Sequence, residues 1–274
     1  MKFLALLMVA IILIWTPWRK GYPKDLLGAW VQYAVRRGRG RIALLVLLLV
    51  LIPIGLLLWW LQDRAYGLFA LVLHVGLLLS AVGRHDPLGQ ANREFARLWE
   101  QGEPQAAVEL ARRHLGVAAE EPELLLAALR RRMVTTSLSD YFVPAFWYLL
   151  LGPLGAVAYR LLYLARDCRT AAAVPVVSML THALEWLPAR LLALSFALVG
   201  HFDATLRTLR ELASDWELSG GQLAMRCAEV ALAEAPAAPG KEPGADAVLG
   251  NIRQLLIRAL LAWAVIVAFF AMLG

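Results

Sequence analysis

The chain has 274 residues, 60% of them hydrophobic, and a formal net charge of +6. Ordinary soluble domains are about 45–50% apolar, and here the excess is gathered into blocks. One block, IALLVLLLVLIPIGLLLWWL at 42–61, runs twenty residues without a charge. About 20 apolar residues cross a roughly 30 Å hydrocarbon core, so an integral membrane protein is predicted and a soluble enzyme excluded. The positive charge lies beside apolar blocks, the positive-inside pattern, and no nucleic-acid motif is present. Cys168 and Cys227 have neither CxxC nor CxxxC spacing, which argues against a disulfide framework and a cysteine-built metal site.

Residues 1–18 read as an uncleaved first span: the greasy run is followed by PWRKGYPK, with no small-residue cleavage pair. Trp15 and Trp18 suit an interfacial belt. The stretch 19–41 carries seven Lys/Arg against one Asp and is expected to be a cytoplasmic loop. Spans at 42–62 and 66–83 then form a hairpin around QDRAY, so the first segment is 1–83. The N-terminus and the turn at Asp63 and Arg64 are placed outside.

Residues 84–140 are predicted to form a cytoplasmic helical module. NREFARLWEQGEPQAAVELARRHLG gives two amphipathic helices with a turn at Gly102, Asn92 as a cap and Pro104 in a first turn. EEPELLLAALRRRM gives a third, with acids first and arginines last in the favourable dipole sense. Residues 141–200 are expected to hold broken intramembrane helices, either two kinked spans or a re-entrant pair. The block 141–163 is interrupted by Pro144 and by Gly152-Pro153-Leu154-Gly155, and 184–200 by Pro188. Residues 201–254 read as an amphipathic helix over 202–217, with Phe202, Leu206, Leu209 and Trp216 on one face, then a linker by composition at 234–247. A last span occupies 255–273 within the terminal segment 255–274. The predicted fold is thus all-α and polytopic, a helical bundle with broken intramembrane helices and cytoplasmic amphipathic helices.

No phosphate-binding GxxxxGK[ST], HExxH or GxSxG is present. His85-Asp86 reads as a loop leading into a helix. His74, alone in the third span, reads as an interhelical hydrogen-bonder. The constellation that stands out is Arg160, Arg166, Asp167, Arg169, His182, Glu185 and Arg190, inside or between two broken apolar blocks. Six of these (Arg160, Arg166, Asp167, His182, Glu185 and Arg190) are the candidate lining of a polar pocket. His182 and Glu185 share a helix face; Glu185 and Arg190, five apart, diverge unless a kink at Pro188 intervenes. Two readings stand side by side: charges that hold helices together, and a cavity where arginines bind a carboxylate or phosphate. No catalytic residue and no metal ligand is assigned.

Three stretches carry a resemblance: ARLWEQGEPQAAVELARRHLG, FVPAFWYLLLGPLGAVAYRLLY and LEWLPARLLALSFALVGHF. In this order the chain resembles the AmpE family of bacterial inner-membrane proteins and, more distantly, the CobD/CbiB cobalamin-biosynthesis family. The likeness covers most of residues 40–205 and is best at Pro144-Ala145-Phe146, Gly152–Gly155 with Tyr159-Arg160, and Trp186–Leu191. The AmpE resemblance implies a regulatory or sensory multi-pass protein tied to β-lactamase induction and peptidoglycan recycling. It also implies a link to the pathway of an AmpD-type amidase. The second resemblance implies a ligase joining an aminoalcohol to a corrinoid acid, with nucleotide and Mg²⁺.

Departures separate the two. Where the ligases carry acidic motifs, this chain reads Thr135-Thr136-Ser137-Leu138-Ser139-Asp140, Arg166-Asp167-Cys168 and Thr181-His182-Ala183-Leu184-Glu185. Only Asp140, Asp167 and Glu185 remain as a relic. The expectation is therefore a non-catalytic regulator without a cofactor, in contact with the membrane and open to a small anionic ligand or a second copy. A divergent ligase and a scaffold with structural charges are the alternatives.

Overall fold

The computed structural model describes residues 2–15, 26–37, 41–61, 67–83, 89–117, 122–166, 174–233 and 245–273. The helices, in chain order, are α1 (Lys2–Trp15), α2 (Leu26–Arg37), α3 (Arg41–Leu49), α4 (Leu51–Leu61), α5 (Leu68–Ala81), α6 (Gln90–Glu100) and α7 (Pro104–Leu110). They continue as α8 (Pro122–Ser137), α9 (Val143–Leu151), α10 (Pro153–Arg166), α11 (Val174–Val199), α12 (Phe202–Leu212), α13 (Gly220–Leu232) and α14 (Ala245–Leu273). Short π-helical turns occupy Ala111–Leu115 and Leu138–Phe142. Among the described residues there is no strand, and the fold is all-α as the sequence predicts.

Among the described residues, three stretches are long and apolar enough to cross a membrane: Ile42–Leu61, Pro175–Val199 and Ala247–Phe269. The expected spans at 1–18 and 66–83 appear as the shorter apolar helices Lys2–Leu13 and Leu68–Ala81. The 42–61 run breaks between α3 and α4 at Val50. Pro53 explains this: proline has no N–H for the carbonyl four residues back, and its ring crowds that carbonyl. At the break the Trp30 indole N–H donates to the Leu47 carbonyl at 3.1 Å.

The chain divides into two compact units, Met1–Arg84 with Ser139–Leu187, and His85–Leu138 with Pro188–Gly274. In the first, α10 is the central helix, packed against α2, α4, α5 and α9. Its core gathers Val157, Leu161 and Ala165 of α10 with Tyr148, Leu78, Leu47, Val31 and Val9. In the second, α8 packs on α13 and α14, α6 on α7 and α14, and α12 on α13.

Several elements differ from the sequence reading. The basic stretch 19–41 contains the helix α2, whose arginines Arg36 and Arg37 sit in its last turn, where cations favour the helix dipole. Asn92 is not a cap. Helix α6 begins two residues earlier, after Gly89, and Asn92 is buried within it. The segment expected at 184–200 is the second half of a continuous 26-residue helix from Val174 that carries Pro188 inside it. The helix expected over 202–217 stops at Leu212, because the Asp215 carboxylate accepts the backbone N–H groups of Glu217 (2.9 Å) and Leu218 (3.3 Å) and folds a turn there. Trp216 is thus off the helix and half exposed. The QDRAY turn, His85, Asp86 and most of the 234–247 linker lie outside the described residues.

Candidate functional site: a buried polar network around α10

Prolines shape the frame. Each proline in a helix frees the carbonyl four residues before it, and in an apolar setting that group needs another donor. Pro144 frees the Asp140 carbonyl, which accepts the Gly83 N–H at 3.1 Å. Pro153 follows the break at Gly152, whose φ of 72° lies in the positive-φ range that glycine adopts without steric cost. The Leu149 carbonyl at that end of α9 accepts from Lys2 Nζ at 2.8 Å. Pro188 frees the Leu184 carbonyl within α11, and the Trp147 indole N–H donates to it at 3.0 Å. The sequence reading saw these prolines as breaks. The structure shows that each freed carbonyl has a specific side-chain or backbone donor, and in α11 the helix continues.

The charges follow from this frame. Asp140 lies in the π-helical turn ahead of α9 and is fully buried. Its carboxylate rests on the α-carbon of Gly83: a Cβ there would lie 1.7 Å from the carboxyl carbon, so glycine is required by space. Arg160 of α10, also buried, donates from Nη1 to Asp140 Oδ1 at 3.0 Å. A buried carboxylate is tolerated when paired and hydrogen-bonded in this way.

Six residues on from Arg160, Arg166 ends α10. Its guanidinium lies 4.7 Å from the Tyr163 ring centroid, with that of Arg160 at 5.4 Å from the same ring. Both distances are within cation–π range. The Tyr163 hydroxyl accepts from Ser139 Oγ at 3.3 Å. Arg166 Nη1 stands 3.8 Å from Glu185 Oε1, an ion pair longer than a hydrogen bond. Glu185, buried on α11, takes its short contact from elsewhere: the Tyr159 hydroxyl donates to Oε1 at 2.9 Å. Among the described residues these contacts join two cations, Arg160 and Arg166, to two carboxylates, Asp140 and Glu185.

Of the six pocket candidates, four belong to this unit: Arg160, Arg166 and Glu185 in the network, and His182, half-buried, one helical turn before Glu185. Asp167 lies outside the described residues, as does Arg169. Arg190 belongs to the second unit. There its Nε donates to the Ala213 carbonyl at 2.7 Å and its Nη2 to the Asp215 carbonyl at 3.1 Å. These are carbonyls left over where α12 ends, which a cation satisfies both by hydrogen bond and by dipole. His74, read as an interhelical hydrogen-bonder, contacts the Tyr148 hydroxyl through Nδ1 at 2.9 Å.

Sequence reasoning missed Tyr159, Tyr163, Trp147 and Gly83. Tyr159 and Tyr163 had a signal, since they sit at helical spacing beside Arg160 and Arg166. Trp147 and Gly83 had none, because their partners are far away in the chain. Helix α13 was also missed although Ser219-x-x-Gln222 is a capping-box pattern, and both of its reciprocal bonds are present.

Its described residues are overwhelmingly helical, with long apolar helices and a buried ion-pair network inside one unit, and the chain is an all-α membrane protein. Residues 5–274 match the family described as regulatory signalling modulator protein AmpE, and the chain belongs to that family. It is also similar to the cobalamin biosynthesis protein CobD of Chromobacterium violaceum, 31% identical over 192 residues covering 66% of this chain and 58% of that protein. CobD of Stutzerimonas stutzeri is 28% identical over 180 residues, 62% of this chain and 57% of that protein. The chain thus spans less than two thirds of the length of these curated relatives. No solved structure matches it significantly.

Proposed function

We propose that this protein is a multi-pass regulatory or sensory component of the bacterial inner membrane, acting in β-lactamase induction and peptidoglycan recycling without catalysing a reaction itself. The observation that carries this reading is the family match over residues 5–274. The site chemistry supports its non-catalytic part. Asp140 is engaged by Arg160, and Glu185 by Tyr159 and Arg166, so both carboxylates are committed to protein donors. On this reading the candidate pocket residues of the first unit (Arg160, Arg166, His182 and Glu185) report ligand state, and Arg190 positions the turn after α12. An AmpD-type amidase pathway is the proposed functional neighbour. The test is a clean deletion, with induced β-lactamase followed over time. Altered induction, restored by the wild-type gene, is expected; unchanged kinetics would sink the signalling role.

A specific observation favours a second reading, the similarity to CobD over 192 residues. A divergent corrinoid ligase would draw on nucleotide and Mg²⁺. Mg²⁺ takes hard oxygen ligands, usually one or two carboxylates plus phosphates. Here the buried carboxylates face guanidinium and phenol donors, and among the described residues no three His, Cys, Asp or Glu gather as metal ligands would. That donor set suits arginine rather than Mg²⁺. Aminoalcohol-dependent conversion of a corrinoid acid by the purified protein would establish the ligase reading, and absence of product at every nucleotide and Mg²⁺ level would remove it.

A further inference from the structure

We infer that α14 passes from water into lipid between Arg258 and Leu261, and that Arg258 holds the phosphate of an anionic lipid headgroup at that level. The inference goes beyond the regulatory reading above and does not depend on it.

One exposed stripe runs along α14 and changes chemistry partway. Asn251, Gln254 and Arg258 occupy its first part, and Leu261, Val265 and Phe269 its second. Steps of three or four residues keep all six on one side of the helix. The apolar three are 61%, 68% and 60% exposed. The other side of α14 changes at the same place. Leu249, Ile252, Leu255, Leu256 and Ala259 are buried, and the helix packs on α6, α8 and α13. From Leu260 to Phe269 no residue is buried. The first part of α14 thus belongs to the helical module, and the second is bare of protein over its apolar stripe. Hydropathy alone merges the two into one candidate span, Ala247–Phe269. Exposure separates them, because an outward face carrying Asn251, Gln254 and Arg258 is costly in hydrocarbon.

The guanidinium sets the kind of partner. Arg258 is exposed, forms no ion pair among the described residues, and shares its stripe with no acid. It stands three residues before Leu261, so its long side chain reaches headgroup level while the apolar stripe lies deeper. A planar guanidinium there matches a phosphate with two parallel hydrogen bonds. No charge occurs from Ala259 to Gly274. Trp263 adds an aromatic anchor of the type that gathers at bilayer interfaces. Its indole N–H donates to Ser195 Oγ of α11 at 2.9 Å, and exposed Leu194 and Leu198 on α11 add to the apolar surface.

The experiment uses the full-length protein in vesicles of phosphatidylcholine and phosphatidylglycerol. Nitroxide labels are placed one at a time at Gln254, Leu261, Val265 and Phe269 in a Cys168→Ser background, with buried Cys227 left in place. Collisions with oxygen and with a water-soluble nickel chelate report depth. Nickel collisions should dominate at Gln254 and oxygen collisions at the three apolar sites, deepening over the about 12 Å of helix from Leu261 to Phe269. Phosphatidylglycerol retained after mild extraction is then measured by native mass spectrometry. Arg258→Gln should weaken its retention about fivefold, the worth of one arginine at an anionic surface, and Arg258→Lys should recover part of it.

Nickel dominance along the whole stripe, or oxygen dominance already at Gln254, would overturn the inference. So would low access to both reagents with spin–spin broadening at Leu261 and Val265, which would put a second copy of the chain where lipid is proposed. Retention that Arg258→Gln leaves unchanged would remove the headgroup site. None of these readouts involves β-lactamase induction, so the lipid anchor and the regulatory reading fail separately.

Discussion

Arg160 and Arg190 are buried to a similar degree, one in each unit, and solve the same problem by different means. Arg160 meets a carboxylate with no exposure at all, whereas Arg190 meets two backbone carbonyls at the end of α12. In the first unit the cation neutralises a second buried charge, and each depends on the other. In the second it completes a backbone that would otherwise carry unmet acceptors. A buried arginine in an apolar segment is therefore not one kind of feature. What it costs to remove depends on what is left behind.

The difference sets an order of effects. Arg160→Ala should cost most, about 3–5 kcal/mol, because it strands a charged Asp140 in the interior; thermal unfolding in detergent reads it. Arg190→Ala should cost less, about 1.5–3 kcal/mol for charge-assisted bonds to groups that water can reach in part, and Arg190→Lys should recover only part of it. Trp147→Phe keeps an aromatic ring but removes the indole N–H that donates to the Leu184 carbonyl, at about 1–2 kcal/mol for the lost bond. Hydrogen exchange should then rise locally around Pro188 in α11.

The smallest effect concerns Cys227, a buried free thiol on α13 whose pKa burial raises to about 11. Its folded value lies above the ordinary thiol value, so the stability it contributes is present at lower pH and is lost as pH rises toward 11. Alkylation of the folded protein at pH 8 should accordingly be slow, and fast once it is unfolded.

What the sequence discloses and what it hides divide along the same line. The span at 42–61 is legible because length and lack of charge suffice. The turn at Gly102 and the start of α7 at Pro104 are legible because their signals are local. The origin of α11 at Val174 is not, since AAAVP reads as a weak helix start and Pro188 as a stop, until Trp147, 37 residues before Leu184, supplies the missing donor. Arg160, Arg166 and Glu185 declare themselves as costly residues in an apolar run, but their partners do not. Asp140 is twenty residues from Arg160, and the carbonyls held by Arg190 lie beyond the end of its own helix. Spacing names the charges that need partners; only packing chooses them.

The buried charges of the first unit face one another. A double-mutant cycle on Arg160 and Asp140 tests it most directly, with Arg160→Met, Asp140→Leu and the pair together compared by unfolding. Two unstable single variants are expected, with a double variant several kcal/mol better than their sum, because no lone charge remains once both are gone. Additive losses, with the double variant as poor as the two singles combined, would contradict it.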